Sequence, residues 1–298
     1  MARKRRGTPI HGWLNIDKDA GLSSAQVVGR IKRITNAQKV GHAGTLDPFA
    51  TGILPIALGE ATKTVGYIVD ETKEYRFTVR WGEARNTDDI EGEVVRSSDF
   101  RPTTDEIQKL LPEFIGVIRQ QPPAFSAIKI GGERAYKLAR AGADLDMPVR
   151  DVHIESLSLI RVIDNDHAIF EVSCGKGTYI RALARDMALK LGTVAHLSTL
   201  HRVRVGPFSE ADAISLDKLA KLWQCPAKFV DLLPLTTALD DIPALAVTEQ
   251  EAFRLRHGND VAVPNKADGV VCAMEGDSPV GIAKIESERL YPVRIFNL

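Results

Sequence analysis

The chain contains 298 residues, of which 44% are hydrophobic and 26% are charged, and its 39 basic residues balance 39 acidic ones. This composition supports a sizeable globular core; no apolar run of about 18 residues is present to form a membrane span, and the basic residues 1–6 lack the apolar stretch of a signal peptide. The charge is uneven, because residues 1–80 and 171–206 are net basic by six and four charges, whereas residues 231–298 are net acidic by five.

The first predicted helix begins at Ser23 or Ser24 and ends near Asn36. Either serine can cap the helix, and apolar residues recur at helical spacing from Val27 to Ile34. The opposite face of this helix carries Arg30, Lys32 and Arg33.

The most informative segment is the loop at residues 41–55, Gly-His-Ala-Gly-Thr-Leu-Asp-Pro-Phe-Ala-Thr-Gly-Ile-Leu-Pro. Its glycines allow a ligand to approach the backbone closely. Pro48 biases Asp47 towards an extended conformation, and a carboxylate held in this way can serve as a nucleophile or a base. Asp followed by Pro is also a good helix start, with Asp47 as the N-cap. The local sequence alone favours the cap.

The middle of the chain alternates between strands and helices. Residues 74–81 alternate apolar and polar side chains and predict a half-buried strand, with Tyr75 on its apolar face. Thr103 and Glu106 form a capping box for a helix that ends near Pro112. Further strands are predicted at residues 152–163 and 168–174.

Residues 120–150 are predicted to form an inserted, partly basic excursion. The segment 120–126, Gln-Gln-Pro-Pro-Ala-Phe-Ser, is rigid and extended, and Gly131 and Gly132 then interrupt the chain. A short helix follows at about residues 135–141. Its basic residues are Arg134, Lys137 and Arg140.

Residues 174–181 predict a turn that leads from a strand into a helix ending near Leu191. Gly177 follows Lys176, so the phosphate-binding pattern Gly-x-x-x-x-Gly-Lys-Ser/Thr is absent. A turn of this kind can still hold an anion at the helix N-terminus. Arg181 lies in the first helical turn, where the helix dipole disfavours a cation, so it is either exposed or paired with a buried carboxylate. Arg185 lies one turn further along the same face.

The last part of the chain predicts a small β-rich domain. Thr248 and Glu251 cap a short helix that Gly258 ends, and strands are expected near residues 260–263, 269–274, 279–286 and 290–296. We therefore expect two domains, at residues 1–237 and 238–298.

The cysteines and the charge distribution indicate the cellular compartment and the kind of binding partner. Cys174, Cys225 and Cys272 have no zinc-type spacing and indicate free, mostly buried thiols in a reducing compartment. The two basic regions suit a polyanionic partner, and residues 1–6 are predicted to form a disordered arm that can contact phosphates. Any single basic cluster can equally be a solvated helix face.

None of these residues indicates a function by itself, but the motifs that contain them together resemble those of a known family. The loop around Asp47 is similar to the signature of the TruB family of tRNA pseudouridine synthases. The segments around Lys18, Lys73-Glu74-Tyr75 and residues 173–181 resemble its other motifs, in the same order. Residues 121–142 resemble the RNA-gripping thumb insertion, and the C-terminal strands resemble a PUA-type RNA-binding domain. One departure is Asp19, where the family usually has proline.

The resemblance implies an α+β pseudouridine synthase fold, with a mixed, largely antiparallel sheet flanked by helices and loops and a PUA-like C-terminal domain. The implied activity converts uridine 55 in the T-loop of tRNA to pseudouridine after the base is flipped out of its stack. The family uses no cofactor and no metal. The implied enzyme is a cytoplasmic monomer that binds the tRNA T-arm without guide RNA or membrane.

The resemblance also implies a role for each site residue. Asp47 is the nucleophile, by attack on the base or the sugar carbon, and Arg181 keeps its carboxylate charged. Tyr75 stacks on the uracil and accepts the C5 proton. The remaining substrate contacts are His42, Tyr179, Leu200 and Lys18, with ordering of the Arg181–Asp47 pair as the alternative role of Tyr179. Candidate phosphate contacts are Lys32, Arg33, Lys129, Arg134, Lys137, Arg202 and Arg204.

Two other functions are compatible with these features. The chain could be a tRNA-binding or folding module whose catalysis is incidental, which the basic regions and the PUA-like domain allow, although Asp47, Tyr75 and Arg181 favour catalysis. It could also be a guide-RNA-dependent enzyme of the dyskerin type, although the thumb insertion and the compact length favour a stand-alone enzyme.

Overall fold

A computed structural model describes residues 7–143, 145–224 and 231–298. The predicted arm at residues 1–6 and the predicted thiol of Cys225 lie outside this part of the chain. No helix in the described residues is both long and apolar enough to cross a membrane.

The described residues form strands that are connected by turns, loops and short helices. In chain order, the strands are β1 (Gly12–Lys18), β2 (Val40–His42), β3 (Thr51–Leu58), β4 (Lys73–Trp81), β5 (Glu83–Arg85), β6 (Val94–Ser97), β7 (Gly116–Gln120), β8 (Lys129–Ile130), β9 (Glu133–Arg134), β10 (Arg150–Val162), β11 (His167–Cys174), β12 (Ala195–Val205), β13 (Phe208–Ser209), β14 (Ile214–Ser215), β15 (Ala244–Ala246), β16 (Val261–Ala262), β17 (Gly269–Glu275), β18 (Ser278–Glu286) and β19 (Arg289–Ile295). The α-helices are α1 (Ser24–Thr35), α2 (Val65–Asp70), α3 (Thr104–Leu110), α4 (Ala135–Arg140), α5 (Ile180–Lys190), α6 (Leu216–Leu222) and α7 (Glu249–Arg256).

Local sequence explains where several helices begin. Ser23, Thr103 and Thr248 each accept a hydrogen bond from the backbone three residues later, and the side chain at that later position bonds back. These capping boxes satisfy backbone groups that the first turn leaves free. The predicted helix starts at these three positions are therefore confirmed.

A ten-stranded sheet forms the larger layer, in the order β14-β1-β3-β12-β4-β11-β10-β7, with β2 added beside β3 and β13 beside β12. Only the β1–β14 and β3–β12 pairs are parallel, so the sheet is mixed and largely antiparallel. Its core contains the stacked rings of Phe77 and Phe170, with the edge of Trp81 against Phe170. This arrangement confirms the α+β fold class that was expected.

The C-terminal part forms a second sheet of five strands, in the order β15-β17-β18-β19-β16, next to helix α7. The sequence predicted four of these strands and missed β15, which pairs in parallel with β17 and has only three residues.

The two sheets share buried contacts. A single apolar cluster includes Trp13 and Ala43 from the larger sheet and its loops, and Ile282 and Phe296 from the smaller one. The Lys63 ammonium donates to the Ile295 carbonyl at 2.7 Å, and the Glu60 carboxylate accepts from the Asn297 amide at 2.9 Å. The smaller sheet is thus packed against the helical turn at Gly59–Lys63, which follows β3.

The excursion at residues 120–150 contains a feature that the sequence did not predict. Between the extended entrance and helix α4 lies the hairpin of β8 and β9, which turns at Gly131 and Gly132. Both glycines adopt positive φ, so the predicted break is a tight turn between two strands rather than an interruption.

Candidate active site

Three neighbouring strands, β3, β12 and β4, bring distant segments of the chain together. Arg202 in the middle strand pairs with Gly52 on one side and Tyr75 on the other. The loop that carries Asp47 runs directly into β3, and Leu200 lies on the middle strand opposite Phe77. Helix α5 follows β11, which pairs with β4, and supplies Arg181.

Asp47 and Arg181 form a bidentate ion pair at this junction. The guanidinium Nε donates to Oδ2 at 2.9 Å and Nη2 donates to Oδ1 at 3.2 Å. The Arg181 side chain is 4% exposed and the Asp47 side chain 31% exposed. Both carboxylate oxygens are therefore oriented from the protein side, while the carboxylate remains reachable from outside.

The helix start that local sequence favoured at Asp47 is wrong. The segment forms one turn, closed by a hydrogen bond from the Ala50 amide to the Asp47 carbonyl at 3.2 Å, and then enters β3 as an extended strand. The tertiary partner Arg181, 134 residues away, engages the carboxylate that would have capped a helix.

Arg181 has a second acidic partner, which sequence analysis missed. Its Nη1 lies 3.4 Å from the carboxylate of Asp89 and donates to the Thr87 carbonyl at 2.8 Å, while Nη2 also donates to the Phe125 carbonyl at 3.0 Å. Burial raises the pKa of Asp89, against the opposing effect of a hydrogen bond from the Thr87 hydroxyl. Nothing in the local sequence of residues 86–93, which we call the acidic turn, links it to Arg181.

Tyr75 lies beside a buried arginine. Burial raises the pKa of Tyr75, and the nearby Arg202 guanidinium, which is within hydrogen-bonding reach of the hydroxyl, partly offsets this. The phenol is therefore neutral at pH 7, with its ring partly buried against the core of the larger sheet.

Arg202 does not have the surface position expected of a phosphate contact. It is 1% exposed and donates to the carbonyls of Ile53 at 2.7 Å and Gly44 at 3.1 Å. Gly52 makes this placement possible, because a Cβ there would lie 2.3 Å from the Arg202 carbonyl oxygen. Arg202 is thus an internal brace of the Asp47 loop.

His42 and Leu200 each lie on a strand that pairs with β3, His42 on β2 and Leu200 on β12. His42 is partly exposed, its Nδ1 atom has no hydrogen-bond partner among the described residues, and burial lowers its pKa, so the ring is neutral. Leu200 is 5% exposed and presents only an apolar side chain. A neutral imidazole and an apolar wall both suit an uncharged ring such as uracil.

Tyr179 precedes helix α5 and is held by a buried glutamine that the sequence did not single out. The Gln120 side chain accepts from the Tyr179 amide at 2.8 Å and donates to its carbonyl at 3.1 Å. This occupies the first free amide of the helix, where the sequence had suggested an anion. The Arg150 guanidinium lies 5.0 Å above the Tyr179 ring.

Lys18 lies beneath the Asp47 loop, not on a surface that a substrate could reach. It has no exposed area, and its ammonium donates to the carbonyls of Leu22 at 2.8 Å, Asp19 at 3.0 Å and Pro48 at 3.1 Å. Burial lowers the pKa of Lys18 to about 8, although the charge of Asp47 works in the opposite direction. Its three bonds use every ammonium proton to hold the loop.

The other basic candidates remain at the surface. Arg204 lies 3.6 Å from Glu74, and Arg134 bonds to the Ala127 carbonyl. The other exposed candidates are Lys32, Arg33, Lys129 and Lys137. Within the described residues, no group of three His, Cys, Asp or Glu side chains could hold a metal ion.

Comparisons with known sequences agree along the chain. A sequence model of the TruB family pseudouridylate synthase N-terminal domain matches residues 32–180. A model of the tRNA pseudouridylate synthase B C-terminal domain matches residues 181–240, and one of the pseudouridine synthase II TruB C-terminus matches residues 243–296.

Two curated relatives are named tRNA pseudouridine synthase B. The one from Gluconacetobacter diazotrophicus is 52% identical, over 98% of this chain and 99% of its own length. The one from Caulobacter vibrioides is 50% identical over the full length of both chains.

Solved structures share the fold at lower identity. A chain of a Cbf5-Nop10-Gar1 complex superimposes with a TM-score of 0.73 at 28% identity, covering 96% of this chain and 84% of its own. A chain of an H/ACA RNP bound to a substrate RNA containing 2'-deoxyuridine gives a TM-score of 0.74 at 24% identity, covering 100% and 92%.

Proposed function

The chain belongs to the TruB family of pseudouridine synthases, and on that premise we propose that it isomerises uridine 55 in the T-loop of tRNA to pseudouridine. The observation that carries this proposal is the bidentate Asp47–Arg181 pair, whose carboxylate is partly exposed and close enough to Tyr75 for its charge to raise the pKa of that phenol. The relatives named tRNA pseudouridine synthase B support tRNA as the substrate.

Asp47 is the proposed nucleophile. The N-glycosidic bond breaks, the uracil turns, and C5 replaces N1 on the sugar, so the C5 proton is lost and N1 gains one. The Arg181 guanidinium stabilises the carboxylate in its charged form and fixes both oxygens, which lowers the cost of orienting them for attack on the base or the sugar carbon. The product is therefore an isomer of the starting uridine.

The neighbouring residues bind the flipped base. The Tyr75 ring stacks on uracil. The proposed acceptor of the C5 proton is the phenolate oxygen of Tyr75, which forms when the phenol gives its own proton to solvent and which the Arg202 guanidinium stabilises. Tyr179 contacts the base edge, His42 takes the space that the base leaves, and Leu200 forms the apolar wall. Lys18 acts by holding the Asp47 loop, because its ammonium faces only backbone carbonyls.

Recognition of RNA requires contacts outside this pocket. The exposed basic residues of α1 and of the thumb, residues 120–150, are the proposed phosphate contacts, and splayed T-loop bases supply the shape that is recognised. We infer a catalytic domain at residues 1–237 and a PUA-like RNA-binding domain at 238–298, acting as a monomer. The free buried thiols of Cys174 and Cys272 suit the cytoplasm.

The first experiment measures turnover of a bare T-arm stem-loop by the purified full-length chain. We expect conversion without guide RNA or protein partners. A strict requirement for a guide RNA would favour the dyskerin-type alternative, to which the structural likeness to Cbf5 chains draws attention.

The second experiment compares Asp47→Asn with the unmodified chain for conversion and for tRNA affinity. We expect conversion to disappear while affinity stays within about tenfold, roughly 1.4 kcal/mol. Asp277→Asn, an exposed change in the turn between β17 and β18, is the control and should convert normally. Substantial residual turnover in Asp47→Asn would refute the nucleophile.

A further inference from the structure

Arg185 uses each side of its guanidinium to join three segments. Its Nη1 donates to the Asp88 carboxylate at 3.0 Å, its Nη2 to the Gln121 carbonyl at 2.7 Å, and its Nε to the Asp186 carboxylate at 2.9 Å. Asp88 belongs to the acidic turn and Gln121 to the entrance of the thumb. Among the described residues, the hydrogen-bond and ion-pair partners of Arg185 do not include Asp47.

Asp88 is held in an unusual backbone conformation. Its φ is +60°, its amide donates to the Arg85 carbonyl at 3.0 Å, and its carbonyl accepts from the Leu197 amide of β12 at 3.1 Å. A non-glycine residue with positive φ is strained and persists where its surroundings fix it. These contacts orient the Asp88 carboxylate towards Arg185, and the Asp88 side chain is 15% exposed.

Arg181 and Arg185 join the same segments one helical turn apart. Arg181 binds Asp89 and the Thr87 carbonyl in the acidic turn and the Phe125 carbonyl in the thumb. Arg185 binds the acidic turn at Asp88 and the thumb at Gln121. The two arginines form parallel links from α5 to both segments, and the first of them also holds the proposed nucleophile.

We propose that Asp88 and Arg185 are positioning residues, which fix the acidic turn and the thumb entrance on α5 so that Arg181 stays aligned with Asp47 while the thumb grips RNA. This inference rests on the proposed function for its kinetic consequence. A link placed beside the Arg181 contacts resists displacement of either segment, because moving one would break bonds to both arginines.

Stability alone does not account for such a pair. Burial raises the pKa of Asp88 to about 6, against the attraction of Arg185 and Arg181, so ionising it in the fold is costly. Partly buried ion pairs are weak contributors to folding free energy, and geometric specificity is their better-supported use.

The test uses Arg185→Met, Asp88→Asn, the double variant and a control, Arg76→Met. Asparagine tolerates positive φ, so Asp88→Asn removes the charge without changing the backbone preference. Arg76 forms an ion pair with Glu171 on the same sheet, but both side chains are more than 40% exposed. Each variant is assayed for single-turnover conversion at saturating T-arm RNA and for RNA affinity.

We expect the conversion rate to fall about tenfold in Arg185→Met and about threefold in Asp88→Asn, with the dissociation constant within threefold of the unmodified chain. The double variant should be no slower than Arg185→Met by more than twofold, because the residues act as a unit. Rates within twofold of the unmodified chain, or a loss due entirely to weaker binding, would overturn the proposal.

Hydrogen exchange provides a measurement that does not depend on the substrate. Loss of Arg185 should speed exchange of the Leu197 amide at least tenfold and leave the Cys272 amide, bonded to Pro243 in the smaller sheet, unchanged. Unchanged exchange at Leu197 would refute the positioning role even if the chain proved inactive on the T-arm. Faster exchange in a chain that is inactive on the T-arm would count against the proposed function alone.

Discussion

Removing the Arg181 guanidinium tests the account of the site most directly. In Arg181→Met the side chain keeps much of its apolar volume, but Asp89 loses its cation and the carbonyls of Thr87 and Phe125 lose donors. The Asp89 side chain is 4% exposed, so water cannot replace the lost partner, whereas Asp47 at 31% exposure can be partly rehydrated.

The expected loss of stability follows from this difference in exposure. Leaving one member of a buried ion pair without its partner costs about 3–5 kcal/mol. We expect the free energy of unfolding of Arg181→Met to fall by that amount, with Asp89 as the main contributor. Neutralising the stranded carboxylate in Arg181→Met/Asp89→Asn should recover about 1–3 kcal/mol.

Urea unfolding followed by tryptophan fluorescence measures both quantities, since the chain contains Trp13, Trp81 and Trp223. Arg76→Met is again the control, because exposed pairs contribute at most about 1 kcal/mol. A loss below 1 kcal/mol in Arg181→Met would refute the reasoning. So would strictly additive effects of the two substitutions, because they would mean that Arg181 does not compensate the charge of Asp89.

Three other outcomes are expected. Tyr75→Phe should bind tRNA within threefold of the unmodified chain, because the ring remains, but should convert it at least about 100-fold more slowly, because the proton acceptor is lost. Release of tritium from C5 of the target uridine measures the rate of conversion, and a normal rate of release would exclude the acceptor role. Gly52→Ala should lower the melting temperature sharply, because φ is +98° and the new Cβ would lie 2.3 Å from the Arg202 carbonyl oxygen. The control Gly29→Ala, in an exposed helical position with nothing within 4 Å, should be neutral or stabilising. Equal melting temperatures for the two variants would contradict this reasoning. The pKa of Asp88 is raised from 3.8 to about 6 in the fold, so the folded state retains a proton that the unfolded chain loses, and this residue's contribution to stability falls as pH rises through that window. On going from pH 4 to pH 7, the free energy of unfolding should therefore fall less, or rise more, in Asp88→Asn than in the unmodified chain. The same change with pH in both proteins would contradict the assignment.

The amino-acid sequence by itself determined the local elements. The capping boxes at Thr103 and Thr248 and the helix start at Ser23 depend on residues three positions apart, so a short window contains the whole interaction. The alternating strand at β4 and the order of the motifs were equally visible, and the motifs led to the family and its fold. The same window misassigned Asp47 as a helix cap, because it could not include Arg181.

Tertiary structure decided which charged groups meet. Arg202 and Lys18 look like surface cations in the sequence, yet both are buried under the Asp47 loop because Gly52 lets β12 approach β3 closely and the loop carbonyls need donors. Asp89 joins Arg181 only because the acidic turn folds back onto α5. Such pairings depend on the order of strands in the sheet, and strand order is a property of the whole packed chain that no local spacing encodes.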